Sequence, residues 1–267
     1  MRTILTVPLS WLILCSLAAD APGQANPAAP EMLFTVDFSE TPTGVYREDQ
    51  ARKEWPGMQW FALRDRGTIV VDEDAERGNC LRIAYPAGSV GPSQGGGQFR
   101  VNLPARDEYY LGYRVMFEAD FDFRLGGKLP GLSGGRGNTG GQRPTGDGWS
   151  ARYMWGRDGR LVVYLYHMDQ RTQYGDSLPL GVQVERGRWY RLTQRIKVNT
   201  PGQRDGELQV WLDGREVLRR ADIRYRDVAG AQVDIFYFST FHGGNSDAWA
   251  PRNDSFARFD DFRIARE

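Results

Sequence analysis

Four polar residues stand at alternate positions in two apolar segments: Ser150 and Arg152 in GWSARYMW, and Tyr164 and Tyr166 in RLVVYLY. Strict alternation marks half-buried strands, because successive side chains point to opposite faces. Between the segments lies Arg157-Asp158-Gly159. A three-residue hairpin loop is commonly a type I turn followed by a left-handed glycine, the place Gly159 takes. That loop pairs Gly156 with Arg160, Arg152 with Tyr164, and Ser150 with Tyr166. Directly opposed residues share a face. The four polar groups are therefore expected on one face. Trp149, Ala151, Tyr153, Trp155, Leu161, Val163 and Leu165 form the other, a core face. A two-residue Asp158-Gly159 turn sets Arg152 against Leu165 and mixes the two. An arginine, a serine and two tyrosines on one face are either a solvated surface or a site for a polar ligand.

Lys128 weighs toward the site. It lies in GGKLPGLSGG, and lysine occurs elsewhere only at Lys53 and Lys197. The segment reads as a tight loop whose glycines let a ligand approach the backbone. A lysine in such a groove binds an anion or transfers a proton. A second constellation is Glu118, Asp120 and Asp122, alternating at the end of an expected strand. Paired carboxylates are the acid and nucleophile of retaining glycoside hydrolases. The pattern resembles the E-x-D-x-x-E strand of laminarinase-type hydrolases without its final Glu; the alternative is an acidic, solvated strand end.

The two histidines are separate. By parity His167 falls on the core face at a strand end. His242 sits in FHGGNSDAW, a glycine-rich loop, where it either lines the groove or is an ordinary loop histidine. Neither has a second histidine at metal-ligand spacing, so no metal site is expected. No G-x-S-x-G or P-loop is present, which leaves serine-hydrolase and nucleotide chemistry without support.

The elements that must position these groups are strands. The chain has 267 residues, with 32 Gly and 12% aromatics, a composition that suits short strands joined by turns. Lys+Arg and Asp+Glu are both 34, so no basic excess points to nucleic acid. Strands are expected over 33–38, 68–72, 79–85, 98–103, 108–123, 189–198, 207–212, 215–219, 233–241 and 256–264, besides the hairpin. In QFRVNL, Arg100 and Asn102 face opposite to Phe99 and Val101. No segment shows a long helical period. The fold class is all-β, a jelly-roll β-sandwich of two antiparallel sheets.

Residues 1–25 read as a secretory signal: Arg2 gives the positive start, and the apolar run 4–17 is too short to span a membrane. Residues 26–32 read as a linker, and 33–267 as the β-sandwich domain. Location is then secreted or periplasmic, with no membrane attachment after signal removal. The mature chain keeps Cys80 alone, expected as a buried small hydrophobe.

GGKLPGLSGG, GWSARYMW, YLYHMDQRTQYGD, RWYRL and GGNSDAWAP occur in this order. Together they resemble polysaccharide lyase family 14, the alginate lyases and related polyuronate-cleaving enzymes built on a jelly roll. The resemblance runs from about residue 98 to the C-terminus. It implies an active groove of Lys128, Ser150, Arg152, Tyr164 and Tyr166. Arg100, Tyr174 and His242 are expected beside them as substrate-binding residues. Around His242 the chain departs from the family, where an aromatic is expected. The implied reaction is β-elimination: the C5 proton of a uronic acid leaves, the bond at O4 breaks, and a 4,5-unsaturated sugar remains. Arg152 would pair with the carboxylate, and Ser150 would add a hydrogen bond. Lys128 and a tyrosine would share general base and acid, the cations favouring the charged tyrosine. No metal or organic cofactor is called for if the cations supply the charge stabilisation. The glucuronan lyases are similar, which places glucuronan beside alginate as substrate. The expected partner is an acidic polysaccharide, and the protein is expected to be a monomer. Two other readings remain: a non-catalytic carbohydrate-binding module, and a glycoside hydrolase using Glu118 and Asp122.

Overall fold

The computed structural model describes residues 31–72 and 78–266. The expected signal and most of the expected linker lie outside the described residues. Glu31 and Met32, assigned to the linker from sequence, already belong to the first strand.

The first third of the described chain forms β1 (Glu31–Val36), β2 (Gly44–Val45), β3 (Met58–Ala62), β4 (Gly67–Val71) and β5 (Asn79–Tyr85). Next come β6 (Gly97–Arg106), β7 (Glu108–Phe117), β8 (Gly126–Gly135), β9 (Gly148–Gly156), β10 (Arg160–Tyr166) and β11 (Asp176–Gln183). The chain closes with β12 (Trp189–Lys197), β13 (Gly206–Leu212), β14 (Arg215–Ile223), β15 (Val233–His242) and β16 (Ser255–Arg266). One sheet runs β14-β13-β12-β7-β16-β5-β4-β2, with β1 added against β16. The other runs β11-β10-β9-β8-β15-β6-β3. Strand neighbours pair antiparallel throughout, as in β7 with β16 and β8 with β15. The expected antiparallel sandwich is the observed fold.

Alternation builds the core. Leu111, Tyr113 and Val115 of β7 and Phe259 of β16 face inward from one sheet; Phe99, Tyr153, Val163 and Phe238 face them from the other. The rings of Phe99 and Phe238 stack at 4.6 Å. Trp55, just past the short helix Glu48–Glu54, stacks on Phe236 at 5.2 Å. Burial of such rings is the main apolar contribution to stability. That helix has seven residues, too few to leave a helical period in the sequence. Cys80 is buried, as expected, and burial pushes its thiol up to about 12.

GGKLPGLSGG is not a loop. It is β8, a central strand between β9 and β15. Its glycines serve the core rather than a ligand. A Cβ on Gly127 would lie 2.1 Å from a ring atom of Trp155, and one on Gly134 would lie 2.6 Å from Trp149 Nε1. Two tryptophans thus lie directly against the β8 backbone, which only glycine permits. The register slips between Leu129 and Gly131. Buried Gln194, reaching from β12 of the opposite sheet, accepts from Leu132 N–H and donates to the Ala151 carbonyl, each at 3.2 Å. It satisfies two backbone groups that have to be paired once water is excluded.

The expected 108–123 strand ends at Phe117, where the chain turns through Phe121 N–H bonded to the Glu118 carbonyl. In the hairpin loop Gly159 has φ +81°, as expected, but Asp158 is also left-handed at 60°. The turn therefore carries two such residues in succession while keeping its three-residue count.

Candidate active site

The hairpin register pairs Arg152 with Tyr164 and Ser150 with Tyr166, as the alternation requires. On the other side of β9, β8 sets Lys128 opposite Met154 and Ser133 opposite Ser150. Next in the sheet, β15 sets Phe241 against Lys128. Beyond it, β6 pairs Arg100 with Tyr237 and Gln98 with Ser239. Parity then places Lys128, Ser150, Arg152, Met154, Tyr164, Tyr166, Tyr237, Ser239, Gln98 and Arg100 on the face turned away from the core.

Lys128 is half-buried. Its Nζ lies 3.0 Å from Met154 Sδ and 4.3 Å above the centre of the Tyr164 ring. Burial, with Arg152 nearby, lowers the amine to about 7, because both disfavour the ammonium form. The loop after β15 approaches with Gly243, whose missing Cβ would lie 3.5 Å from Nζ.

Arg152 is 3% exposed. Its Nη1 donates to Ser239 Oγ at 3.0 Å, its guanidinium lies 5.3 Å from the Tyr237 ring centre, and its buried Nε has no partner. Burial pulls its pKa down, yet a guanidinium keeps its charge in any protein setting. A buried cation without a carboxylate is costly unless an anion completes it.

Tyr166 is buried. Its hydroxyl accepts from Gly141 N–H at 2.9 Å and lies 3.3 Å from the Tyr164 hydroxyl. Tyr164 is half-buried, and its pKa is raised: burial and the bond to Tyr166 outweigh the attraction of Arg152. The expected promotion of a phenolate by neighbouring cations is therefore reversed, and Tyr164 holds its proton as a donor. Ser150 is also altered from expectation. It is fully buried, and its Oγ donates to the Asn138 carbonyl at 2.6 Å. Its proton holds the turn between β8 and β9 instead of pointing at a ligand.

The decisive comparison is with family sequence patterns. That of polysaccharide lyase 14 matches residues 73–262. The chain belongs to that family. Among solved structures, this lyase is similar to the alginate lyase Aly36B, with 30% identity and a TM-score of 0.77 over 90% of this chain and 98% of that one. Variants of Aly36B have been solved with an alginate trisaccharide and an alginate tetrasaccharide. The PL-14 alginate lyase of Aplysia kurodai has 24% identity and a TM-score of 0.75, covering 88% of this chain and 99% of that one. An endo-β-1,4-glucuronan lyase from the fungus Trichoderma reesei shares the fold at 15% identity and a TM-score of 0.57, covering 88% and 96%. No curated protein sequence matches this chain significantly.

Several sequence expectations need correction in this lyase. His242 does not line the groove. It is 1% exposed, stacks on Phe121 at 5.5 Å, meets Tyr85 and Trp155 edge-on, and bonds the Asp122 carbonyl through Nε2 at 2.7 Å. Burial lowers it to about 4, so it stays neutral in the core. The hydrolase pair also fails. Glu118 is bound by Arg82 at 2.8 Å and Arg258 at 2.7 Å on the other sheet, and Asp122 by Arg252 at 2.9 Å. Both carboxyls are held below their usual range, which suits neither a general acid nor an available nucleophile. Asp120 is exposed. His167 lies just past β10, 2.9 Å from Asp176, and is half-buried rather than part of the core.

Tyr174 is 55% exposed on the loop between β10 and β11, and a Cβ on Gly141 would lie 3.2 Å from its ring. It stands beside the turn that bonds Tyr166. Gln98, Met154, Tyr237 and Ser239 were not singled out from sequence. Tyr237 and Ser239 carried a signal, alternating in VDIFYFSTFH with core residues Phe236 and Phe238. Among the described residues no group of three His, Cys, Asp or Glu is placed to hold a metal ion. No helix among them is long and apolar enough to cross a membrane.

Proposed function

We propose that this polysaccharide lyase cleaves alginate by β-elimination on the outer face of the seven-stranded sheet. The observation that carries the reading is the pair Arg152 and Lys128: a buried guanidinium with no carboxylate partner among the described residues, beside an amine lowered to about 7. Arg152 takes the carboxylate of the reacting uronate in its fork. With that charge offset, the C5 proton becomes acidic enough for a neutral amine to remove. Lys128 takes it as general base. The electron pair of the C5–H bond forms the C4–C5 double bond, and the C4–O4 bond breaks. The Tyr164 phenol gives its proton to the departing oxygen, and exchange of one proton with water restores both groups. Arg152 stabilises the charge that builds on the carboxylate during the transfer. Tyr166, held by Gly141, fixes the Tyr164 hydroxyl from behind.

The test is a product assay on alginate, polymannuronate, polyguluronate and glucuronan. Ultraviolet-absorbing unsaturated ends are expected with at least one alginate substrate, and kcat/KM falls as salt rises because the attraction between groove and polyanion is screened. New reducing ends without absorbance would identify a hydrolase, and neither product would identify a binding module. Equal turnover of a neutral glucan would overturn the reading.

Export fits a substrate too large to enter a cell, and the apolar run 4–17 after Arg2 supports it. N-terminal sequencing of exported protein is expected to begin at about residues 19–27; an intact Met1 on such material would contradict it.

A further inference from the structure

Arg100 is a second guanidinium on this face that is at least half-buried. Several other arginines of the sandwich are matched by carboxylates: Arg195 with Glu108 and Glu207, Arg258 with Asp72 and Glu118, Arg226 with Asp107. Among the described residues Arg100 has no such pair. Its Nη2 reaches only the Gly137 carbonyl, at 3.4 Å, and its buried Nε has no partner. Asp234 feels its charge, but that carboxylate accepts from Gly135 N–H at 3.0 Å and makes no ion pair with it.

Arg100 and Arg152 come from strands three places apart, yet both converge on one ring. Their guanidinium carbons lie 4.5 and 5.3 Å from the Tyr237 centroid. Gln98 fixes that ring by donating to its hydroxyl at 2.6 Å, and donates also to Ser239 Oγ at 2.9 Å, the atom that accepts from Arg152. Trp60, paired with Arg100 across β3 and β6, meets Tyr237 edge-on at 6.1 Å. It is half-buried, leaving part of its ring open at the edge of the sheet. The order of groups across the strands is thus Arg152, Lys128, Tyr237, Arg100, Trp60.

Two like charges converging on one aromatic ring repel each other unless anions stand between them and solvent. The face of an aromatic ring attracts a cation but does not neutralise it. A polyuronate carries a carboxylate on every sugar, and a chain laid across the strands presents these at regular intervals to a row of guanidinium groups.

We propose that Arg100, backed by Tyr237 and flanked by Trp60, is a second carboxylate subsite, holding a uronate next to the one that Arg152 prepares for cleavage. The proposal rests on the lyase reading above. Its consequence is specificity for runs of uronates over polymers in which a neutral sugar adjoins each uronate, because a neutral neighbour leaves Arg100 unpaired in the complex.

The test uses purified wild type, Arg100→Gln and Arg100→Lys on uronate oligomers of increasing length, with kcat and KM separated. Arg100→Gln is expected to raise KM on long oligomers and polymer by about tenfold or more, the loss of one charge-assisted contact. The effect should shrink toward the shortest oligomer that wild type cleaves. Arg100→Lys should recover part of the affinity, and the salt dependence of kcat/KM should flatten in Arg100→Gln. A purely structural role predicts instead an equal loss at every length, falling on kcat as well, and that outcome overturns the subsite. So does a wild-type KM at all lengths. Wild-type protein that produces no unsaturated ends from any polyuronate overturns the lyase reading and the subsite together. If Arg100→Gln fails to fold, Arg100→Lys decides the matter: a rise in KM confined to the longer oligomers supports the proposal, and a loss uniform with length, or no change at any length, defeats it.

Discussion

Replacing Lys128 by methionine is expected to lower kcat on alginate by about a thousandfold or more, while the folded protein becomes more stable. The two effects share one cause. The amine is lowered from its ordinary value to about 7 by burial and by Arg152. Between 7 and the ordinary lysine value the unfolded chain binds a proton that the folded chain does not, so stability rises with pH across that window. At neutral pH the fold therefore bears a cost for keeping the amine where it is. Methionine fills the same space without that cost, a gain on the order of 1–3 kcal/mol once the partial exposure of Lys128 is allowed for. The catalytic loss follows because only the neutral amine accepts the C5 proton. In wild type, kcat/KM should rise with pH through about 7, as the free enzyme loses the lysine proton. Lys128→Arg keeps the positive charge but cannot deprotonate, so it should bind polyanion and fail to cleave it. An active Lys128→Arg enzyme, or a pH profile flat from 6 to 8, would sink the assignment of the base.

Arg152→Ala should lower kcat/KM on alginate by about 10²–10³, the scale of losing a placed charge donor. Its distinguishing feature is the dependence on substrate charge. A methyl-esterified polyuronate already has an acidic C5 proton and no carboxylate to neutralise. The penalty of Arg152→Ala should be several-fold smaller on that ester than on the free acid. Stability should change little or improve, since among the described residues the buried guanidinium has a neutral serine and no carboxylate as partner. An identical penalty on ester and acid would mean that Arg152 shapes the groove without handling the carboxylate.

The hairpin was legible because two independent signals agreed. Alternation defined the faces, and the loop count fixed which residues face each other; Arg152 opposite Tyr164 needed nothing else. In β8 the same logic had nothing to act on. Five of its ten residues are glycine, and glycine leaves no side chain to alternate. The reason for those glycines, two tryptophan rings lying on the strand, belongs to the neighbouring β9 and cannot be read within the segment. His242 is different. Counting from Phe236 and Phe238 already places it inward, but the glycines after it suggested a loop. Glu118 was illegible for a third reason. Its partners Arg82 and Arg258 lie 36 and 140 residues away, so only the folded sheet brings them together.

The bond from Gly141 to Tyr166 has a use outside the chemistry. A backbone amide proton pointing at a phenol oxygen feels any change in that oxygen's charge or partners. Its nuclear magnetic resonance frequency, and its rate of exchange with solvent deuterium, are therefore set by the state of the groove. Gly141 belongs to a turn outside the core strands, so its signal can be followed without a probe attached to any groove side chain. Filling of the groove, emptying after cleavage, and loss of the phenol in Tyr166→Phe should each register at this one amide.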